Sequence, residues 1–269
     1  GSLFLYHDVC TNGIGYTDLM FQVQDMEIEK IHYLGLLKSV LGLVDTENYT
    51  YGALFNEINE NTSGIMCGVE VFDDAKDPQK FTAMFTVRGK ALYPKYEFLF
   101  SMIREILCTS KLTDTKRLYE IIAQIKSRAQ ASLVSAGHQT AVLRGSSYGS
   151  RMAAFQDEMA GIGYYHFIEN LEKDFEAKKD EIVQNLQLVM GQILCQENMS
   201  ISYTGEKESV EMVKTQFVSL KKLMAHMTET DMKQQISCTK KNEGFKTAGQ
   251  VQYVAQTGNF VEKGLAYTG

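Results

Sequence analysis

IMCGVEVFDDAKDPQKFTAMFTVR, residues 65–88, carries the pattern on which the reading of the fold turns. Ile65, Cys67, Val69 and Val71 alternate with Met66, Gly68, Glu70 and Phe72. After the polar run DDAKDPQ, Phe81, Ala83, Phe85 and Val87 alternate with Thr82, Met84, Thr86 and Arg88. Successive side chains of a strand point to opposite faces, so each run has one face suited to a core. The turn between them predicts a long antiparallel pair over residues 65–72 and 80–88.

Upstream, GIGYTDLMFQVQ (Gly13–Gln24) reads as another strand, with one slip of phase near Asp18. From about Met26 to Val44, Ile31, Leu34, Leu37, Leu41 and Val44 recur at helical spacing with Tyr33, Leu36 and Val40 alongside, which predicts a helix buried on more than one side. Asn48 or Thr50 suits the cap of a short helix bearing Leu54 and Ile58, with Gly64 near its stop.

Downstream, Pro94 fits the first turn of a helix with Leu99, Met102, Ile103 and Ile106. Thr113 or Asp114 caps a longer helix that Gly137 ends, and Gly161-Ile-Gly163 interrupts the helical stretch that follows. Met199, Ile201 and Tyr203 mark a strand, and Val210, Val213, Phe217 and Leu220 a final helix. This order predicts an α+β fold, a two-layer domain with helices packed on one face of a largely antiparallel sheet, over residues 1–226. Residues 227–269 are expected to begin a following, truncated domain, with one strand at QVQYVAQ (Gln250–Gln256).

A net charge of −6 with dispersed Lys and Arg excludes the basic patch of a nucleic-acid binder, so no nucleic acid is expected as partner. No run approaches the ~18 apolar residues of a membrane span, and no membrane partner is expected. The five cysteines are odd in number and never form a CxxC pair, which suits free thiols in a reducing compartment: the cytoplasm, or an organelle matrix in a eukaryote.

Histidine occurs only at positions 7, 32, 138, 166 and 226, so constellations able to bind metal are few. His166-Phe-Ile-Glu169-Asn170 stands one residue from the H-x-x-E-H signature, in which two His one helical turn apart hold zinc and the Glu activates water. Asn170 spoils it, because an amide is a poor zinc ligand, and His166 with Glu169 reads as an i, i+3 pair on a helix surface. RGSSYGSR (Arg144–Arg151) has the residue types of a phosphate cradle but neither the P-loop spacing nor a preceding strand, and reads as a bend between helices. No GxSxG elbow is present. The residues alone therefore give no catalytic site, no cofactor-binding site and no metal site.

TNGIGYTDLMFQV, LGLLKSVLGLVDTENYTYGALFNEINENTSGI, GSRMAAFQDEMAGIGYYHFIENL and QENMSISYTGEKESV, in this order and spacing, resemble the C-terminal half of the presequence-protease branch of the pitrilysin and insulysin zinc peptidases. The resemblance implies a parent built from four related α+β domains that clasp a chamber, with zinc bound only in the first. It makes residues 1–226 the third domain and the tail the start of the fourth. Aligned on Ser39-Val-Leu41, the family's zinc helix would put Leu34 and Lys38 at its two His and Leu37 at its Glu. It implies no cofactor in this chain and zinc in the parent, a partner in the N-terminal catalytic half of the same protein, and short unfolded peptides as substrates. This chain's part would be chamber wall and docking surface, and the chain alone would be inactive. An incomplete fourth domain would expose a sheet edge open to oligomerisation. The alternative is a free-standing peptide- or protein-binding module with an inactive peptidase fold.

Overall fold

The computed structural model describes residues 3–74, 77, 80–227, 236–247, 250–260 and 263–265. The hairpin forms as its alternation requires. Strand β3 (Ile65–Asp73) pairs antiparallel with β4 (Phe81–Leu92), in a register running from Ile65 opposite Gly89 to Asp73 opposite Phe81. Ala83, Phe85 and Val87 of β4 are fully buried, while β3 lies at the sheet's edge and its core-facing side chains are only partly covered.

β2 (Ile14–Gln22) pairs antiparallel with β4 on one side and with β5 (Met199–Gly205) on the other. The slip of phase expected at Asp18 does not occur, because Gly15, Thr17, Leu19 and Phe21 face the core in unbroken alternation. Polar Thr17 made the pattern look broken. It is buried, and its hydroxyl shares a 2.9 Å hydrogen bond with that of Tyr96, which removes the cost of an unpaired buried polar group.

β1 (Phe4–Asp8) was not expected from the sequence; it pairs parallel with β5 and completes a sheet of order β1-β5-β2-β4-β3. Helices cover one face of this sheet. They are α1 (Ile28–Val40), α2 (Tyr51–Asn61), α3 (Tyr96–Thr109), α4 (Thr115–Ser135), α5 (Gly137–Ser146), α6 (Arg151–Ala160), α7 (Ile162–Lys173), α8 (Phe175–Ile193) and α9 (Val210–Lys221). α1 packs on α6 and α8, and α3 lies between β4 and α9.

Local chemistry sets the boundaries. The Thr50 hydroxyl accepts from the Ala53 N–H, and the Asp114 carboxylate from the Arg117 N–H, each satisfying a donor that a helix start leaves free. α1 stops at Val40, short of the expected Val44, where Leu41 turns extended and Gly42 takes φ +86°, a left-handed conformation that costs glycine little. Leu34 and Leu37 of α1, Ile103 of α3 and Phe217 of α9 join the sheet's inner face in one core. Burying a Leu or Phe side chain there contributes about 1.5–3 kcal/mol.

No strand forms at residues 250–256. That segment lies against α5, with Tyr253 beside Gly137 and Thr257 donating to the Gly145 carbonyl at 2.6 Å. Its alternation had no strand to meet, and a helix presents no ladder of free backbone groups.

Candidate functional site

The family's zinc helix corresponds to α1, and there the chemistry is hydrocarbon. Leu34 and Leu37 are 0% and 1% exposed, packed into the core where hydrolysis would need ligands and a base. Burial pulls the Lys38 ammonium below its ordinary value, but while protonated it donates only and cannot bind a metal. Among the described residues no group of three or more His, Cys, Asp and Glu converges on a point that could hold an ion. The side chains at this position do not fit zinc.

His166 and Glu169 sit on the exposed side of α7, with Nδ1 3.8 Å from Oε2. Glu169 also accepts the Tyr165 hydroxyl at 3.0 Å. This is the helix-surface pair expected from the i, i+3 spacing.

RGSSYGSR forms the bend between α5 and α6, with Ser150 capping α6 through the Ala153 N–H. Arg144 does more than the bend requires. Its guanidinium donates to Asp157 Oδ2 at 2.6 Å and grips Glu243 with two bonds, of 2.8 and 3.1 Å. Asp157 is 1% exposed and also receives the Ile162 and Gly163 N–H groups at the start of α7. Hydrogen bonding to Arg144 pulls the Glu243 carboxyl down to about 2, and the same pairing raises Arg144 above its ordinary value. Tyr148 donates to Glu243 as well. Sequence reasoning missed this network, whose Arg and Glu are 99 residues apart. The Gly161-Ile-Gly163 interruption was the available signal, since a carboxylate just ahead of a helix start is a natural cap.

The broadest exposed feature is the sheet face opposite the helices. Arg88 of β4 lies across from Asp18 of β2 and Met66 of β3. It bonds Asp18 Oδ1 at 3.1 Å and pairs with Glu70. Around this charged centre stand Tyr16, Met66, Phe72 and Leu92, with Met66 70% and Phe72 54% exposed. Ion pairs this open contribute little stability, and their effect is to hold three strands' side chains flat beneath an apolar rim.

The geometry defines a two-layer α+β domain with an open sheet face and a hydrocarbon plug where its fold class can hold a metal. Comparison with known proteins gives the family: the chain belongs to the associated-domain family of peptidase M16, subfamily C, whose model matches residues 1–171. Protein HypA of Clostridium perfringens is 34% identical over 272 residues, covering 100% of this chain and 27% of that protein. Presequence protease 1, chloroplastic/mitochondrial, of Arabidopsis thaliana is 23% identical over 273 residues, covering 100% of this chain and 25% of that protein. The chain thus spans about a quarter of the length of these relatives.

Two solved structures share the fold. A conserved protein from Enterococcus faecalis V583 aligns at TM-score 0.57 and 13% identity, over 83% of this chain and 50% of that one. The peptidase M16 inactive domain from Pseudomonas fluorescens aligns at TM-score 0.53 and 13% identity, over 85% and 50%. The resemblance read from the sequence holds: the chain is a C-terminal part of an M16-family peptidase. No described helix is long and apolar enough to cross a membrane.

Proposed function

We propose that this chain is a non-catalytic segment of a zinc metallopeptidase that degrades short unfolded peptides, supplying chamber wall and a docking surface for the N-terminal catalytic half. The observation that carries the reading is the replacement of ligand chemistry by buried leucine on α1, in a chain that belongs to a peptidase M16 associated family. An activated water and a stabilised oxyanion need groups that such a helix does not offer. Enclosure and orientation are what remain, and misplacing a bound peptide by ~1 Å can cost on the order of a hundredfold in rate.

The open sheet face suits a wall: its apolar rim accepts varied side chains, and its Asp18-Arg88-Glu70 centre is already internally paired. Residues 1–226 form the third domain on this reading, and the tail leads into the fourth. The edges at β1 and β3 are where a second copy would add. The compartment would be cytoplasm, or an organelle matrix such as those the presequence proteases' names give for those relatives.

The test is complementation. The separately produced catalytic half, mixed with a C-terminal half containing these residues, should regain turnover of an unfolded peptide, while this chain alone cleaves nothing. Chelator-sensitive hydrolysis by this chain alone, or a catalytic half fully active without a partner, would overturn the reading.

A further inference from the structure

α5 is an odd helix for a packed domain, because Gly145 is its only buried residue. It cannot hold its place through an apolar face of its own. One side instead carries Gly137, Ala141 and Gly145, four residues apart and so aligned along one line of the helix. A chain segment lies on that line. A Cβ at Gly137 would stand 2.8 Å from the Tyr253 ring, and one at Gly145 3.1 Å from Thr257 Cγ2. Tyr253 also packs on the His138 ring at 5.7 Å, Thr257 donates to the Gly145 carbonyl at 2.6 Å, and Asn259 donates to the Gly149 carbonyl at 3.3 Å.

The spacing fits. From Gly137 to Gly145 a helix rises about 12 Å, and from Tyr253 to Thr257 an extended chain covers about 13 Å. The two therefore run side by side in the same direction, matching contact for contact. Upstream, the same stretch of chain is pinned by Glu243 on Arg144 and by Ile236, which is buried in the core. Between pin and groove lies a cleft of about 910 Å³, with Arg144, Tyr148, Phe245 and Tyr253 in its walls.

We propose that α5 and the turn after it form a receptor groove for an extended segment, occupied here by residues 251–259 and locked by the Arg144–Glu243 pair. Each part has its own task. The small residues admit a backbone at close range, the carbonyls of Gly145 and Gly149 take side-chain donors, and Tyr253 fixes the register at the Gly137 end. The segment in turn supplies the contacts that α5 lacks. Breaking the lock frees the segment, empties the groove and loosens α5 together with its ligand.

The experiment is hydrogen exchange on the full chain, comparing Glu243→Gln, Gly137→Leu and Tyr253→Ala with the parent. Amides of residues 251–259 and 137–149 are expected to exchange at least tenfold faster in all three, while those of β2 and β4 stay unchanged. A labelled peptide of residues 250–260 should bind Glu243→Gln and not the double variant Glu243→Gln/Gly137→Leu. Tyr253→Ala removes nothing from α5, so it keeps the test sound should leucine at 137 disturb folding. Equal exchange at 251–259 in parent and variants would overturn the proposal. So would release of the segment without any change at 137–149 and without peptide binding.

Discussion

α1 and α5 are fixed in the molecule by opposite means. α1 is wrapped by sheet and helices, with seven of its residues buried and none of them charged. α5 buries only Gly145 and is held by an ion pair and a strap that arrives from more than a hundred residues downstream. The first kind of helix resists through hydrocarbon, which no single polar contact controls. The second depends on a few polar groups, each replaceable. The difference separates what substitution should destroy from what it should merely loosen.

The largest effect should come from Asp157, where the α5 network meets the start of α7. It is almost wholly buried, takes the Arg144 guanidinium and caps α7 through two N–H groups. Asp157→Ala would leave a partly buried cation with one partner fewer and two backbone donors without an acceptor. A loss of about 3–5 kcal/mol in urea unfolding is expected. A loss under about 1 kcal/mol would mean that Glu243 alone satisfies Arg144, and that the network is not shared between strap and core.

Next comes a matched pair of truncations. Leu34→Ala on α1 removes a fully buried side chain and should cost about 2–5 kcal/mol, the spread depending on how far the cavity collapses. Val142→Ala on α5 removes an exposed one and should stay within about 0.5 kcal/mol. Equal losses at the two positions would end the contrast between the helices.

α1 was legible because its apolar spacing is local and strong, and the hairpin because its two runs and their turn lie within one short stretch. The caps at Thr50 and Asp114 were legible for the same reason: three residues separate each cap from its donor. What the sequence hid is long-range. β1 offers only five residues, and its partner β5 lies nearly two hundred residues away in a parallel pairing that no hairpin announces. Residues 250–256 alternate as a strand would, yet their partner is a line of small residues on a helix. Thr17 broke the apolar count although it faces the core, because the phenol that satisfies it is remote in sequence. Of the candidate site, the leucines on α1 could be read in advance, but the Arg144 hub could not.

The smallest expected effect is the one that titrates. Glu243 falls from an ordinary 4.5 to about 2 in the folded chain, chiefly through its bonds to Arg144, with burial opposing the fall. A carboxyl whose folded pKa is depressed stabilises the fold above its unfolded value, and that stabilisation fades as pH falls through the folded one. The lock should therefore be fully engaged above pH 4.5 and lost progressively between 4.5 and about 2. Glu243→Gln, which has no charge to lose, should lack this component. Because the pair is partly open to water, its effect on global stability should be about 1 kcal/mol or less. Unfolding curves of parent and Glu243→Gln should thus differ slightly at neutral pH and converge on acidification, most of the convergence falling below pH 4.5. Asp157 is common to both proteins, so its own titration cancels in the difference. Convergence already complete above about pH 5 would show that some other group governs the strap. A gap that persists at about pH 2 would show that the charge of Glu243 was never what held it.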